Sequence, residues 1–183
     1  MRNVYQLYQF SRLRINSALR QNVGSDMISA SHIVARPLPD ETLAPLLHIE
    51  LVSSPIAIHS FRDRIADPDV GAHAWFEGVT RRMTGGRETV RLSYEAFEPM
   101  AIAELRRLGQ VAAQQFRLTA LVLVHRLGVV PIGEASLIVG CSSPHRAAVF
   151  SALPTIVNAL KTDVPIWKQE HYADGTAHWV HPT

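Results

Sequence analysis

The chain has 183 residues, of which 47% are hydrophobic and 19% charged, a globular composition that excludes a disordered or membrane-embedded protein. Its net charge of +2 and pI of about 9.0 come without the concentrated basic stripe that nucleic-acid binding needs. The single cysteine, Cys141, excludes an internal disulfide and a cysteine-cluster zinc site, and no apolar run approaches the roughly 18 residues of a membrane span.

Arg2, Arg12, Arg14 and Arg20 meet no acid until Asp26, with Val4, Leu7, Phe10 and Ile15 between them. Such a start resembles an organelle transit peptide, or a leader upstream of a true start at Met27. Two prolines, Pro37 and Pro39, mark a linker. Residues 1–47 are therefore expected to form a poorly ordered N-terminal extension, with a compact domain over 48–183.

Within that domain, 49–52 reads as a short strand, 56–65 as a short helix, and 72–80 as a strand feeding a loop with Gly85 and Gly86. Val90, Leu92 and Tyr94 alternate with Arg91, Ser93 and Glu95, the mark of a half-buried strand. Pro99 suits a first helical turn, and Ala101, Leu105, Leu108, Ala112 and Phe116 follow at helical spacing. Residues 118–127 and 134–141 read as strands around a turn at 128–133. Ser143 and Pro144 suit the start of a helix running to about residue 161, with Phe150, Leu153, Val157 and Leu160 as its core stripe and Pro154 as a kink. Residues 166–172 and 176–181 close the chain as a hairpin. The order is neither strict β-α-β alternation nor all-β, so the class is α+β, a mixed or antiparallel sheet with flanking helices.

Several residues could carry chemistry. A helix N-terminus favours an anion, and His145 and Arg146 in that first turn would add two donors for a phosphate or carboxylate; an ordinary capped surface helix has the same spacing. Lys161 at a helix end is also what the helix dipole favours. On a strand, Ile166, Lys168 and Glu170 share one face, so Lys168 is either tuned by the carboxylate for acid–base work or part of an exposed ion pair. Arg81 and Arg82 follow a strand, where sites are commonly built. Cys141 ends an apolar strand and reads as structural. His171, His178 and His181 lack the acidic partners of a metal site. No Walker loop, dinucleotide fingerprint or nucleophile elbow occurs.

The order of these elements carries a resemblance. Phe76-Glu-Gly78-Val-Thr-Arg81, Ser93-Tyr94-Glu95-Ala-Phe-Glu-Pro-Met100, His125-Arg126-Leu-Gly128, Ser143-Pro-His145-Arg146-Ala-Ala-Val-Phe150 and Pro165-Ile-Trp-Lys168-Gln-Glu170 resemble the molybdopterin synthase large (catalytic) subunit family, from about residue 48 onward. Thr80 stands where a valine is common, and Pro154 interrupts the helix before Lys161.

The resemblance implies an α+β enzyme that converts cyclic pyranopterin monophosphate into molybdopterin. The sulfur would come from the Gly-Gly thiocarboxylate of a small ubiquitin-like subunit, within a heterotetramer built on a dimer of large subunits. It implies Lys161 and Lys168 as the catalytic pair, and Val79, Thr80, Arg81, His145, Arg146, Lys161, Lys168, Gln169 and Glu170 as substrate-binding residues. It implies no cofactor, no metal, and a cytoplasmic protein without nucleic-acid or membrane partners. The alternative is a binding module that holds a ubiquitin-like tail or phosphorylated ligand without turnover, as would follow if Pro154 displaced Lys161. A further alternative, nucleic-acid binding through the Arg-rich start, places affinity in residues 1–26.

Overall fold

A strand buried at every position must be covered on both faces, and residues 120–126 are such a strand. The computed structural model describes residues 44–180, so the expectations for residues 1–43 and His181 lie outside the described residues. In chain order come β1 (Leu46–Val52), a 3-10 helical segment (Ile58–Ile65), β2 (Ala72–Val79), β3 (Met83–Thr84), β4 (Arg87–Ala96) and α1 (Glu98–Phe116). There follow β5 (Ala120–Arg126), β6 (Gly128–Pro131), β7 (Ala135–Ser143), α2 (Arg146–Asp163), β8 (Ile166–Tyr172) and β9 (Ala177–Val180).

The first sheet has the order β1-β5-β7-β2. β1 runs parallel to β5, while β7 is antiparallel to both β5 and β2. Because side chains alternate along a strand, Leu121, Leu123, Leu137, Val139 and Cys141 face one way and pack against both helices. Ala120, Val122, Val124 and Ile138 face the other way and pack around Ile65 of the 3-10 segment. Each Leu or Ile so enclosed contributes about 1.5–3 kcal/mol.

The second sheet has the order β3-β4-β8-β9, with β6 also on β4, and all its pairings are antiparallel. The architecture is the α+β mixture expected. α1 begins as read, with Pro99 in its first turn, where a missing N–H is harmless.

Three local expectations need correction. Residues 128–131 form β6 rather than part of a turn, and pair with Tyr94 through Arg91. α2 starts at Arg146, not at Pro144, because Ser143 still pairs with Ala72 at the end of β7. His145 takes the cap position in an extended conformation, and its N–H points to Ser143 Oγ at 3.5 Å.

The apolar face of α2 also differs from the expected stripe. Val149, Ala152, Ile156, Val157 and Leu160 are buried, while Phe150 is 66% exposed. Pro154 lies inside α2, which is helical from Arg146 to Asp163. It sits on the exposed side, where water can bond the Phe150 carbonyl that the proline leaves free.

Candidate active site

Lys168 and Glu170 come to one face of β8 by the two-residue period, as expected. Lys168 Nζ donates to Glu170 Oε1 at 2.9 Å, and Tyr172 Oη donates to Glu170 Oε2 at 2.8 Å. Glu170 is 3% exposed. Burial works to raise its pKa, but the bonds from Lys168 and Tyr172, with the charges of Lys168 and Arg81, outweigh it and hold the carboxyl below its usual range. A buried carboxylate that stays ionised fixes the ammonium beside it.

Above this pair opens a cleft of about 640 Å³. The last turn of α2 contributes Lys161, whose Nζ lies 6.0 Å from the centre of the Phe76 ring. The end of β2 contributes Val79 and, just beyond it, Arg81, whose Nε donates to Thr84 Oγ1 at 3.4 Å. Arg81, Lys161 and Lys168 thus converge on one cavity against two acids, Glu77 and Glu170. A small anion entering it would meet three cationic donors.

The floor comes from the middle of both sheets. Leu92 and Tyr94 of β4, His125 of β5, and Ser136 and Leu137 of β7 all line it. The Tyr94 and His125 rings meet edge to face, 4.9 Å apart at 73°. Burial raises the Tyr94 pKa, opposed by a hydrogen bond with Ser136 and assisted by the charge of Glu170. Burial pushes His125 down to about 4, against the opposing effect of its bond to the Arg126 carbonyl. Tyr94, His125 and Ser136 were not among the expected site residues. The signal for His125 was a polar side chain at the end of an otherwise apolar strand.

Other expected residues lie elsewhere. Thr80 is 1% exposed, and its hydroxyl points to the Val130 carbonyl at 3.5 Å. Its N–H donates to the Glu134 carbonyl and its carbonyl accepts from Gly133 N–H, so Thr80 holds the strand end in place and does not line the cleft. Gln169 pairs with Ser93 and Trp179 within the sheet and points away from Lys168. His145 and Arg146 are exposed at the start of α2. Gly71 backs that segment so closely that a Cβ there would sit 2.5 Å from the Pro144 carbonyl oxygen. At 1.5 Å per residue, Arg146 and Lys161 are separated by roughly 22 Å of helix, too far for one small ligand to reach both within a chain.

Cys141 is buried, its thiol aimed at the Val149 carbonyl at 3.9 Å and its pKa pushed up by burial to about 11. His171 bonds Ser93 at 2.9 Å, and His178 lies against Arg87 and the Tyr172 ring. Among the described residues no three of His, Cys, Asp and Glu form a metal-holding group, and no helix is long and apolar enough to cross a membrane. A more open groove of about 750 Å³ runs between β1 and the start of α1. It contains none of the expected residues, and its charges are mixed: Glu50, Glu98 and Arg106.

Residues 51–163 match the family model described as MoaE protein. A molybdopterin synthase catalytic subunit of Drosophila willistoni is 43% identical over 72% of this chain, a match spanning 36% of that longer protein. Proteins of the same name from Aspergillus oryzae and Bacillus subtilis are 35% and 37% identical, over 84% and 72% of this chain and 87% and 83% of their own lengths. The crystal structure of molybdopterin synthase from Staphylococcus aureus superposes with a TM-score of 0.68 at 33% identity, covering 72% of this chain and 95% of that one. A chain from a Helicobacter pylori complex of subunits 1 and 2 of molybdopterin-converting factor shares the fold, with a TM-score of 0.59 at 17% identity over 73% of this chain and 88% of its own. The chain therefore belongs to the MoaE family, the catalytic subunits of molybdopterin synthase, which transfer sulfur in molybdenum cofactor biosynthesis.

Proposed function

We propose that the Arg81–Lys161–Lys168 cleft is where this chain installs two sulfurs on cyclic pyranopterin monophosphate to form the dithiolene of molybdopterin. The observation that carries the reading is the convergence of two lysines from different elements on one cavity, with Glu170 buried beneath one of them. Lys161 and Lys168 neutralise the charge that develops as sulfur adds and supply or accept protons as water leaves. Glu170 aims Lys168, and Arg81 holds the substrate's anionic end. Because α2 carries Lys161 to the cleft across Pro154, displacement by the proline gives no support to a module that binds without turnover.

The sulfur donor is a small ubiquitin-like subunit whose C-terminal Gly-Gly thiocarboxylate enters the cleft. The two-subunit complex of the Helicobacter pylori relative supports such a partner. Two copies of the present chain, each with a small subunit, make the heterotetramer, working in the cytoplasm. The roughly 22 Å of α2 between Arg146 and Lys161 supports an arrangement in which His145 and Arg146 act on another copy's ligand. Val79 lines the cleft mouth, and Thr80 and Gln169 serve through the backbone they position.

The test is reconstitution. Purified chain, thiocarboxylated small subunit and pterin precursor should yield molybdopterin, and Lys161→Ala and Lys168→Ala should each reduce the rate by a factor of about 10² or more while retaining small-subunit binding. Wild-type turnover in both alanine variants would remove the lysines from the mechanism.

A further inference from the structure

Below the cationic rim, His125 lies 4% exposed at the end of β5 and lines the cleft. Its Nδ1 is 2.9 Å from the backbone carbonyl of Arg126. A carbonyl can only accept, so the ring hydrogen resides on Nδ1. Burial keeps the ring neutral at physiological pH. Nε2 therefore carries a bare lone pair, and among the described residues nothing donates to it. Nε2 is open to the cleft and not sealed in the core, so a ligand there can supply the donor it lacks. Its surroundings suit a flat ring: Phe76, Leu92, Leu137 and Ile166 supply apolar walls, and the Tyr94 ring abuts His125 edge to face.

We infer that His125 Nε2 is a substrate-recognition acceptor, taking a hydrogen bond from an N–H or amino group of the heterocycle whose anionic end is held by the rim. The inference rests on the pterin-converting reading above and adds the group that reads the ring. Pterins carry an exocyclic amino group and ring N–H donors, so a neutral acceptor on the floor complements them as the three cations complement a phosphate. A site built around one acceptor also discriminates against rings that lack the matching donor.

Two substitutions separate this role from packing. His125→Asn places an amide where Nδ1 stands, so the bond to the Arg126 carbonyl can persist while nothing occupies the Nε2 position. His125→Gln places an amide near Nε2. Binding to the full chain is measured by quenching of pterin fluorescence, for the phosphorylated precursor and for a phosphate-free pterin. Inorganic phosphate is titrated separately by calorimetry.

His125→Asn should weaken both pterins about tenfold, the equivalent of one lost hydrogen bond, and leave phosphate affinity unchanged. His125→Gln should recover part of the loss. With the thiocarboxylated small subunit, the Asn variant should show its defect mainly in KM. Wild-type pterin affinity in His125→Asn overturns the inference, as does an equal loss of phosphate affinity, which would signal a collapsed cleft. A wild-type chain that binds no pterin overturns both readings, whereas one that binds pterin without converting it overturns the assigned reaction alone.

Discussion

Lys168 donates its ammonium to the buried carboxylate of Glu170 across 2.9 Å, two residues along the same strand. The pair is asymmetric: the Glu170 side chain is 4% exposed and that of Lys168 33%. The acid is thus the fixed member and the lysine the one that faces a ligand. Tyr172 holds the second oxygen of the carboxylate, so Glu170 has both of its oxygens occupied from its own strand.

Replacing Glu170 by Gln should therefore disturb Lys168 more than the fold. Turnover in the reconstituted assay is expected to fall roughly a hundredfold, as for a misplaced catalytic group, with the circular-dichroism spectrum unchanged. The folded carboxyl titrates below its ordinary value of 4.5, so its stabilisation is fully present at neutral pH and is lost as pH falls through the acid range below that value. Urea midpoints of wild type and Glu170→Gln, measured from pH 7 to 3, should converge at the acid end.

His125 gives a second acid effect at higher pH. Its folded pKa of about 4 lies below the free value of 6.5, so between these limits the unfolded chain binds the extra proton and stability falls as pH falls. At 1.36 kcal/mol per unit the difference amounts to about 3 kcal/mol. His125→Asn should remove this slope between pH 6.5 and 4, read from the same urea midpoints, while the Glu170 effect at lower pH remains.

Gly71 tests how the start of α2 is set. A methyl group there meets a backbone oxygen of Pro144 at 2.5 Å, which cannot rotate aside as a side chain could. Gly71→Ala should cost about 1–3 kcal/mol, the usual range for overpacking, measured by thermal or urea unfolding. Because Pro144 directly precedes His145 and Arg146, the variant should also lose more activity than an equally destabilising change in the core, such as Ile156→Val.

Cys141 should be chemically quiet. Its thiol is enclosed and its pKa stands at about 11, so a thiol reagent should label the native chain far more slowly than the urea-unfolded chain at pH 8. Cys141→Ala should keep turnover within about twofold, at a stability cost of roughly 1 kcal/mol.

What the sequence disclosed was what local periodicity can disclose. The two-residue period of β8 put Lys168 and Glu170 together, and the helical spacing of Ala101, Leu105 and Leu108 found α1. The start of α2 was misplaced because Ser143 and Pro144 look like a helix opening, although pairing with Ala72 keeps Ser143 in a strand. That pairing joins residues 71 positions apart, and no local pattern registers it. The cleft floor was missed for the same reason. Tyr94, His125 and Ser136 lie on three strands and meet through register; only His125, polar at the end of an apolar run, stands out in its own segment. Thr80 shows the converse: it lies beside Arg81 in the family pattern, yet just past the end of β2 its bonds to residues 130, 133 and 134 hold it inward, while Arg81 is exposed.

The bonds of Thr80 bear on what the chain can tolerate when its length changes. Its N–H, carbonyl and hydroxyl reach residues 134, 133 and 130, while Arg126 clips the same loop through Glu134 and the Val129 carbonyl. Surface loops ordinarily accept insertions at little cost. Here an added residue between 128 and 134 would break the match to Thr80 and turn Arg81 away from the cleft, although the two segments lie some fifty positions apart. The short segment of β6 and the turn after it is thus a measuring stick for the mouth of the cleft, its length set by the bonds it makes to Thr80.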